Sequence, residues 1–221
     1  MSYTLKIEDI YPLTHNVNRF RLPKPEGYTF TPGQATEVAI NKEGWRDKKR
    51  PFTFTSTPDD DFLEFTIKAY TDHDGVTDFT SRLIVGDEFI IDEPWGAIHY
   101  KGPGTFIAGG AGITPFLSIL RQLEKEDKLA GNTLIFSSLT GKDIILEGEL
   151  QRLLGDNFII TLTHEKREGY LNGFINREFL QEHVNGYSQR FYVCGPPKMV
   201  EDLSEHLRHL GANPNGIVFE K

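Results

Sequence analysis

Glycine is concentrated in residues 109–115, Gly-Gly-Ala-Gly-Ile-Thr-Pro, between an apolar segment and a helix-like pattern. Glycine lets a phosphate approach the backbone, and the N–H groups at the start of a helix favour an anion. We therefore predict that Gly110 and Gly112 belong to a phosphate-binding turn that continues into a helix near Thr114. The run differs from the common dinucleotide pattern G-x-G-x-x-G, so a tight turn without a ligand is the alternative.

A second segment, residues 50–56, combines a guanidinium group, aromatic rings and hydroxyl groups on one predicted strand. Strand alternation places Arg50 and Phe52 on one face and Thr53 on the other. Arg50 offers a fork suited to phosphate, Phe52 a flat surface for a ring, and Thr53 a hydrogen-bonding hydroxyl. Composition alone favours the alternative, an ordinary strand with an exposed arginine.

The third candidate is the turn Cys194-Gly195-Pro196-Pro197, which ends a predicted strand and opens a helix. A thiol there lies at the carboxyl edge of a parallel sheet, where α/β proteins bind their ligands. A small buried residue without a reactive role is the commoner case. Since Cys194 is the only cysteine, the chain has no internal disulfide and no four-cysteine iron–sulfur site.

The elements that must position these residues change character near residues 101–104. Before this point, six short strands separated by turn residues predict an antiparallel β-barrel or sandwich. After it, strands alternate with helices, which predicts a parallel sheet in an α/β domain. We therefore divide the chain into a domain of residues 1–102 and a domain of residues 103–221.

The predicted elements can be stated individually. The first-domain strands are residues 5–10, 17–22, 36–40, 51–55, 62–69 and 88–92. The second-domain strands are residues 105–108, 133–137, 158–163 and 190–194. Helices are expected at residues 145–154, 176–183 and 198–210, besides one that starts with Thr114 as N-cap and Pro115 as its first residue.

Composition excludes several classes of protein. The 221 residues are 38% hydrophobic and 25% charged, which is typical of a globular protein. The net charge of −8 gives no support for nucleic-acid binding. No secretory signal or membrane-length apolar stretch is visible, so we expect a cytoplasmic, monomeric protein. His206 and His209 stand three apart on one helix without an evident third ligand, and we predict no metal site.

In this order the motifs resemble the ferredoxin–NADP⁺ reductase superfamily, in particular its small bacterial flavodoxin-reductase-like members, over nearly the whole chain. The family's barrel pattern Arg-x-Tyr-Ser/Thr-x-x-Ser is met by Arg50, Phe52, Thr53 and Ser56, with phenylalanine where tyrosine is usual. The resemblance implies that Arg50 binds a flavin phosphate, that Phe52 packs against the isoalloxazine, and that Thr53 lies near N5. Phenylalanine keeps the stacking surface and loses the phenolic hydroxyl.

The family's second flavin segment, Gly-x-Ser/Thr, is matched by Gly75 and Thr77. The resemblance implies that this segment holds a pyrophosphate, which favours FAD over FMN, and that Lys68 and Tyr70 line the adenylate side. The implied flavin-binding residues are Arg50, Pro51, Phe52, Thr53, Ser56, Lys68, Tyr70, Gly75, Val76 and Thr77.

The second domain resembles the family's nicotinamide-nucleotide domain through the patterns Gly-Gly-x-Gly-Ile-x-Pro and Cys-Gly-Pro. The resemblance implies that the NAD(P)H pyrophosphate lies over the glycine turn and that Cys194 helps to position the nicotinamide, without acting as a covalent nucleophile. Ser138 and Lys142 are candidates for a 2′-phosphate, together with Lys166 and Arg167, and the preference between NADPH and NADH stays open. The implied nucleotide-binding residues are Gly110, Gly112, Ile113, Thr114, Pro115, Ser138, Lys142, Cys194, Gly195 and Pro196.

The activity that the resemblance implies is that of an FAD-dependent NAD(P)H oxidoreductase. Hydride passes from NAD(P)H to the flavin, and electrons pass to a flavodoxin, a ferredoxin or a similar acceptor. Thr53, Cys194 and Phe219 are the candidate catalytic residues, and Phe219 either gates the flavin face or simply packs the last strand. The alternatives are an electron-transfer subunit of a larger dehydrogenase or oxygenase system and a non-catalytic regulatory subunit.

One further sequence feature could concern the electron acceptor, namely the basic loop of residues 42–50. Its lysines, Lys48 and Lys49 among them, would steer an acidic flavodoxin or ferredoxin towards the flavin strand. A solvated hairpin loop is the alternative.

Overall fold

The computed structural model describes residues 1–70, 75–96 and 98–219. Contacts divide the chain into two units, of which the first comprises Met1–Gly96 and Thr114–Gln122. The second comprises Ala97–Ile113 and Leu123–Lys221. A stretch of helix from the C-terminal half of the chain therefore belongs to the first unit.

The described part of the first unit has seven strands in two antiparallel sheets, which confirms the predicted antiparallel architecture. One sheet has the order β1-β7-β4-β5 and the other β2-β3-β6. A short helix α1 (Val76–Phe79) precedes β7. The strands are β1 (Tyr3–Lys6), β2 (Asp9–Thr14), β3 (Val17–Pro23), β4 (Ala35–Ile40), β5 (Arg50–Thr53), β6 (Phe62–Lys68) and β7 (Glu88–Ile91).

The first unit has one strand more than the six predicted, because the first predicted run is divided between the two sheets. The Ile7 N–H bonds the Asp87 carbonyl beside β7 at 2.7 Å, whereas the next N–H, of Glu8, bonds the Arg21 carbonyl of β3 at 2.9 Å. The chain therefore changes partner between adjacent residues, and a period-two pattern continues through that change unmarked.

The two sheets are also linked through the residues that directly follow β5 in the chain, which pair with β6. The Thr55 N–H donates to the Glu64 carbonyl at 2.8 Å, and Phe54 forms a bridge with Phe65 of β6. Between the sheets lies an apolar core, whose burial is the main stabilising contribution to such a unit. Its fully buried aromatic side chains include Phe20, Phe54, Phe65 and Phe89.

The second unit contains a six-stranded parallel sheet, which confirms the predicted α/β domain. Its strand order is β11-β10-β9-β8-β12-β13. The strands are β8 (Gly104–Gly109), β9 (Thr133–Ser138), β10 (Phe158–Leu162), β11 (Leu171–Asn172), β12 (Arg190–Cys194) and β13 (Ile217–Phe219). The longer helices of the chain are α2 (Thr114–Lys125), α3 (Glu147–Leu154), α4 (Arg177–His183) and α5 (Pro197–His209).

None of the four longer helices starts at its predicted residue: α4 begins one residue later, α5 begins one residue earlier, and α2 and α3 differ as follows. A 3₁₀ turn, Gly110–Ile113, precedes α2, so Thr114 is its first residue and not its N-cap. Helix α3 begins at Glu147 because Leu146 adopts a left-handed conformation with φ of 54°. None of the helices in the described ranges combines the length and the hydrophobicity that a bilayer crossing requires.

Candidate nicotinamide and flavin sites

The glycine turn lies where the strand order of the parallel sheet reverses direction. From β8 the chain adds β9, β10 and β11 on one side, and then β12 and β13 on the other. Ligands of open α/β sheets bind outside the carboxyl ends of the strands at such a point. The turn after β8 and the turn after β12 therefore meet at the expected binding edge.

These two turns pack closely at Gly112 and Gly195. A Cβ on Gly112 would collide with the Cys194 carbonyl and lie 2.6 Å from the Gly195 N. A Cβ on Gly195 would lie 3.1 Å from the Gly109 N. By contrast, Gly110 has a φ of 53° and open space where a Cβ would stand. The backbone at Gly110 is thus uncovered, as a phosphate-binding turn requires.

The other predicted residues of these turns differ in their exposure. Ile113 and Pro115 are buried, whereas Thr114 is partly exposed at the start of α2. Cys194 is only 6% exposed, and Pro196, the N-cap of α5, is exposed. The buried thiol agrees with a packing and positioning role for Cys194 rather than with a reactive one.

Ser138, at the carboxyl end of β9, is a buried hydroxyl without a partner. Its side chain is 4% exposed, and its Oγ has no hydrogen-bond partner among the described residues. Leaving a buried polar group unpaired is costly, and native structures usually pair such groups. An unpaired Oγ at this edge of the sheet fits a polar ligand that completes it.

The turn after β9 also carries opposite charges. Lys142 is exposed on a 3₁₀ turn closed by Asp143, whose carboxylate accepts from the Thr140 hydroxyl at 2.6 Å. Glu165 accepts a hydrogen bond from the Gly141 N–H at 2.7 Å, and a Cβ on Gly141 would collide with the Arg167 guanidinium. Sequence reasoning named Lys142 and Arg167 but missed Glu165, since nothing in the sequence pairs it with Gly141.

The predicted flavin strand β5 presents its residues unequally. Arg50 and Pro51 are exposed, Phe52 is half-buried against the core, and Thr53 is buried. One guanidinium nitrogen of Arg50 donates to the Lys49 carbonyl at 2.8 Å. An exposed arginine fork beside a partly accessible ring is a donor set that fits a phosphorylated aromatic cofactor such as a flavin nucleotide.

Ser56 differs from the other predicted flavin residues because it lies inside the unit. Its Oγ accepts a hydrogen bond from the Glu64 N–H at 3.1 Å, and its carbonyl accepts one from the Ser118 hydroxyl at 2.6 Å. Ser56 is 1% exposed. The structure therefore puts this hydroxyl to use in holding β6, and its role as a direct cofactor contact stays a prediction.

The structure brings together the two residues predicted for the adenylate side. The Lys68 Nζ lies 5.6 Å from the centroid of the Tyr70 ring, within reach of a cation–π interaction, and Tyr70 is exposed. Gly75 is the N-cap of α1, where Val76 is buried in the core and Thr77 is half-buried. Residues 71–74 lie outside the described part of the chain, as does the side chain of Phe219, so the gate stays a prediction.

Sequence reasoning missed a buried charge cluster centred on Glu64 of β6. Its carboxylate accepts from Arg121 at 2.7 Å, from Arg21 at 3.0 Å and from the Thr55 hydroxyl at 3.0 Å. Burial acts to raise the pKa of Glu64, but the Arg121 guanidinium and the hydrogen bonds from Arg121, Arg21 and Thr55 hold it below its ordinary value. The available sequence signal was that Glu64 is a charged residue within a predicted strand that is otherwise rich in apolar residues.

The basic loop is largely occupied by intramolecular contacts. Lys49 forms an ion pair with Asp92 at 2.6 Å, and the Lys48 Nζ lies 4.2 Å from the Trp45 ring centroid. Lys42 pairs with Asp87 at 2.8 Å. Of the two lysines predicted to steer a partner, Lys49 thus has its charge offset within the unit.

An antiparallel unit with an exposed arginine beside a partly accessible ring, and a parallel α/β unit with a glycine turn at its switch point, are together suited to a flavin- and nicotinamide-nucleotide-binding oxidoreductase. Family models agree, since residues 2–86 match an FAD-binding domain and residues 106–205 an oxidoreductase NAD-binding domain. The chain is 32% identical over 209 residues to NADH-cytochrome b5 reductase 1 of Mortierella alpina, covering 87% of this chain and 69% of that protein. The chain belongs to the ferredoxin–NADP⁺ reductase superfamily, as the motifs predicted.

Two further similarities extend this finding. The ferredoxin–NAD(P)⁺ reductase component of the naphthalene 1,2-dioxygenase system of Pseudomonas putida is 28% identical over 214 residues, covering 92% of this chain and 64% of that protein. A ferredoxin NADP⁺ reductase of Neisseria gonorrhoeae with bound FAD and NADP has a similar fold, with a TM-score of 0.86 and 23% identity over 99% of this chain and 98% of that one. The predicted cofactors, FAD and a nicotinamide nucleotide, are confirmed at this level.

Proposed function

We propose that this protein takes electrons from NAD(P)H through FAD and delivers them to a separate electron-transfer protein such as a ferredoxin, a flavodoxin or a small cytochrome. The observation that carries the proposal is the contact between Gly112 and the Cys194 carbonyl. It joins the two turns at the switch point of the sheet and leaves Gly110 uncovered, an arrangement suited to a dinucleotide pyrophosphate.

On the nucleotide side, residues of the second unit bind NAD(P)H and orient its nicotinamide. The N–H groups of the turn Gly110–Ile113 hold the pyrophosphate, and the Ser138 hydroxyl bonds the ribose end of the nucleotide. The buried Cys194 and the partly exposed Gly195 form a compact wall that orients the nicotinamide and excludes water.

On the flavin side, Arg50 binds a phosphate group, Phe52 supports the ring system, and Thr53 supplies a hydroxyl beside it. The N–H groups of Gly75, Val76 and Thr77 bind the pyrophosphate, while Lys68 and Tyr70 line the adenine. A flavin accepts hydride from NAD(P)H and releases electrons one at a time, so the protein's own task is positioning.

The nature of the acceptor rests on the relatives. One of them is described as a reductase of cytochrome b5 and another as the ferredoxin reductase component of a dioxygenase system. Both descriptions name a separate electron carrier.

Anaerobic titration of the purified protein tests the proposal. NADH or NADPH is expected to bleach the flavin absorbance, and an acceptor screen with a ferredoxin, a flavodoxin and cytochrome b5 should then reoxidise the flavin. A flavin that neither nucleotide bleaches would support the non-catalytic alternative. The ratio of kcat/KM for the two nucleotides decides the preference left open by the opposite charges of Glu165 and Arg167.

A further inference from the structure

Helix α2 supplies two side chains to the segment that follows the flavin strand β5. The Ser118 hydroxyl donates to the Ser56 carbonyl at 2.6 Å, and an Arg121 guanidinium nitrogen donates to the Thr55 carbonyl at 2.7 Å. These partners lie 62 and 66 positions apart in the chain. Both helix residues nevertheless fall within the first unit.

The same Arg121 nitrogen ties this segment to the neighbouring strand β6. It bonds a Glu64 carboxylate oxygen at 2.7 Å, and that oxygen also accepts from the Thr55 hydroxyl at 3.0 Å. The backbone bond from Thr55 to Glu64 and the bond from the Glu64 N–H to Ser56 run between the same two strands. Arg121 therefore completes a network in which the Thr55 and Ser56 carbonyls, just after β5, both accept hydrogen bonds from α2.

The central charge of the network, the Glu64 carboxylate, is buried and has several partners. Glu64 is 1% exposed and pairs with Arg19 and Arg21 of β3, with the Thr55 hydroxyl and with Arg121 of α2, while the Thr55 hydroxyl also lies 3.3 Å from that of Thr66. Removing Arg121 leaves Arg19 and Arg21 as the counter-charges of Glu64 but takes away the only guanidinium among the described residues that bonds both the Glu64 carboxylate and the Thr55 carbonyl. Loss of Arg121 would therefore weaken the hold of α2 on the segment that follows β5.

We propose that Arg121 and Ser118 are positioning residues for FAD. They hold the end of strand β5, so that Arg50, Phe52 and Thr53 keep their positions against the cofactor. This inference rests on the proposed assignment of the flavin to β5. Arg121 acts through Thr55 and Glu64 and does not itself contact the flavin. Its consequence is that flavin affinity depends on a helix that the sequence assigns to the nucleotide domain.

The test measures release of FAD from the full-length holoprotein on dilution, by flavin fluorescence, together with the unfolding midpoint by circular dichroism. Arg121→Met is expected to raise the Kd for FAD about tenfold at temperatures well below the unfolding midpoint of the variant. The reason is that the segment after β5 loses the charge-assisted hydrogen bonds from Arg121 to Thr55 and Glu64 that hold it in place. Arg121→Lys keeps the charge and should recover part of the affinity. Ser118→Ala should have a smaller effect in the same direction.

The matched control is Arg152→Met, which breaks the exposed ion pair between Arg152 and Glu124 in the second unit. It should leave the Kd unchanged. A lowered midpoint with parental Kd in both Arg121→Met and Arg121→Lys would reduce the network to a purely structural role and overturn the proposal. If Arg121→Met does not fold, the Kd and the visible circular dichroism of FAD bound to Arg121→Lys decide alone.

A separate variant distinguishes failure of the inference from failure of the site assignment. Arg50→Leu is expected to release FAD if the flavin lies on β5. If Arg50→Leu retains FAD with parental Kd, the assignment of the flavin is wrong and the inference falls with it. If Arg50→Leu releases FAD while the Arg121 variants do not, the site stands and only the inference fails.

Discussion

The two proposed half-sites of this protein are supported by different kinds of contact. At the nucleotide turn, backbone meets backbone, since Gly112 lies directly against the Cys194 carbonyl. Next to the predicted flavin strand, side chains provide the support, through the buried Glu64 and the partly buried Arg121. Where backbone contacts backbone, as at Gly112, an added side-chain atom has no space, whereas a contact between charged side chains depends on charge and on pH. The comparison predicts steric sensitivity in one half-site and electrostatic sensitivity in the other.

The largest effect is expected from Gly112→Ala. The added methyl group collides with the Cys194 carbonyl, so the two turns must separate and the nucleotide is misplaced. Flavin reduction by NAD(P)H in anaerobic stopped flow should slow about 100-fold, the cost typical of a displacement near 1 Å. FAD content should stay at the parental level.

Gly148→Ala provides the matched control for this substitution. Gly148 lies in α3 with a negative φ and open space where a Cβ would stand, so alanine should be tolerated and should support the helix. If Gly112→Ala reduced its flavin as fast as Gly148→Ala, the backbone contact would have no part in nucleotide binding.

Glu64→Gln tests the electrostatic half of the comparison. At pH 7 we expect a loss of about 2 kcal/mol in the free energy of unfolding, because the arginines around residue 64 lose their counter-charge. Since the folded-state pKa of Glu64 is lowered, its stabilising contribution is fully present above the unfolded value of about 4.3 and is lost as the pH falls towards the folded value. Urea unfolding at a series of pH values measures this contribution.

The expected pattern is convergence. The parent should lose stability on acidification below about pH 4.3 more steeply than Glu64→Gln, so that the difference between them shrinks. A difference that stays constant between pH 7 and pH 3 would mean that the carboxylate charge is not what the network uses.

Ser138→Ala should separate binding from stability. If the buried Oγ bonds the nucleotide, its removal should raise the KM for NAD(P)H about fivefold, equivalent to about 1 kcal/mol. The unfolding midpoint should stay equal or rise, because an unpaired buried hydroxyl is also removed. Steady-state kinetics and thermal unfolding of the same sample provide both values.

Ser204→Ala is the control for that pair of measurements. Ser204 is equally buried, but its hydroxyl donates to the Val200 carbonyl at 2.7 Å. Its loss should affect the midpoint and not the KM. An unchanged KM in Ser138→Ala would remove this hydroxyl from the nucleotide site.

The same contrast explains how much the sequence predicted. Gly110 and Gly112 were singled out because tight turns and close backbone contacts favour glycine, and such a preference is visible in a single chain. Cys194 was singled out through its place at the end of a predicted strand and its Cys-Gly-Pro motif. The partnership of Glu64 with Arg121 was not, because it joins residues 57 positions apart whose types suit many surface roles. The alternation in residues 5–10 predicted strand correctly but not the exchange of partner at Ile7 and Glu8, since periodicity describes faces and not neighbours.

The smallest effect concerns the basic loop, and it depends on which lysine is already paired. Lys48→Glu removes a charge that lies over the Trp45 ring, whereas Lys49→Glu removes one offset by Asp92. For an acidic acceptor we expect Lys48→Glu to lower kcat/KM about threefold at low salt, with the difference vanishing near 1 M salt, where charges are screened.

Lys49→Glu places a carboxylate beside Asp92 and should lower kcat/KM at least as much, although the parental Lys49 contributes less to steering. Lys49→Gln separates the two effects, because it leaves Asp92 uncompensated without adding a charge. If all three variants reduce the acceptor at the parental rate at every salt concentration, the loop is a solvated hairpin and the acceptor docks elsewhere.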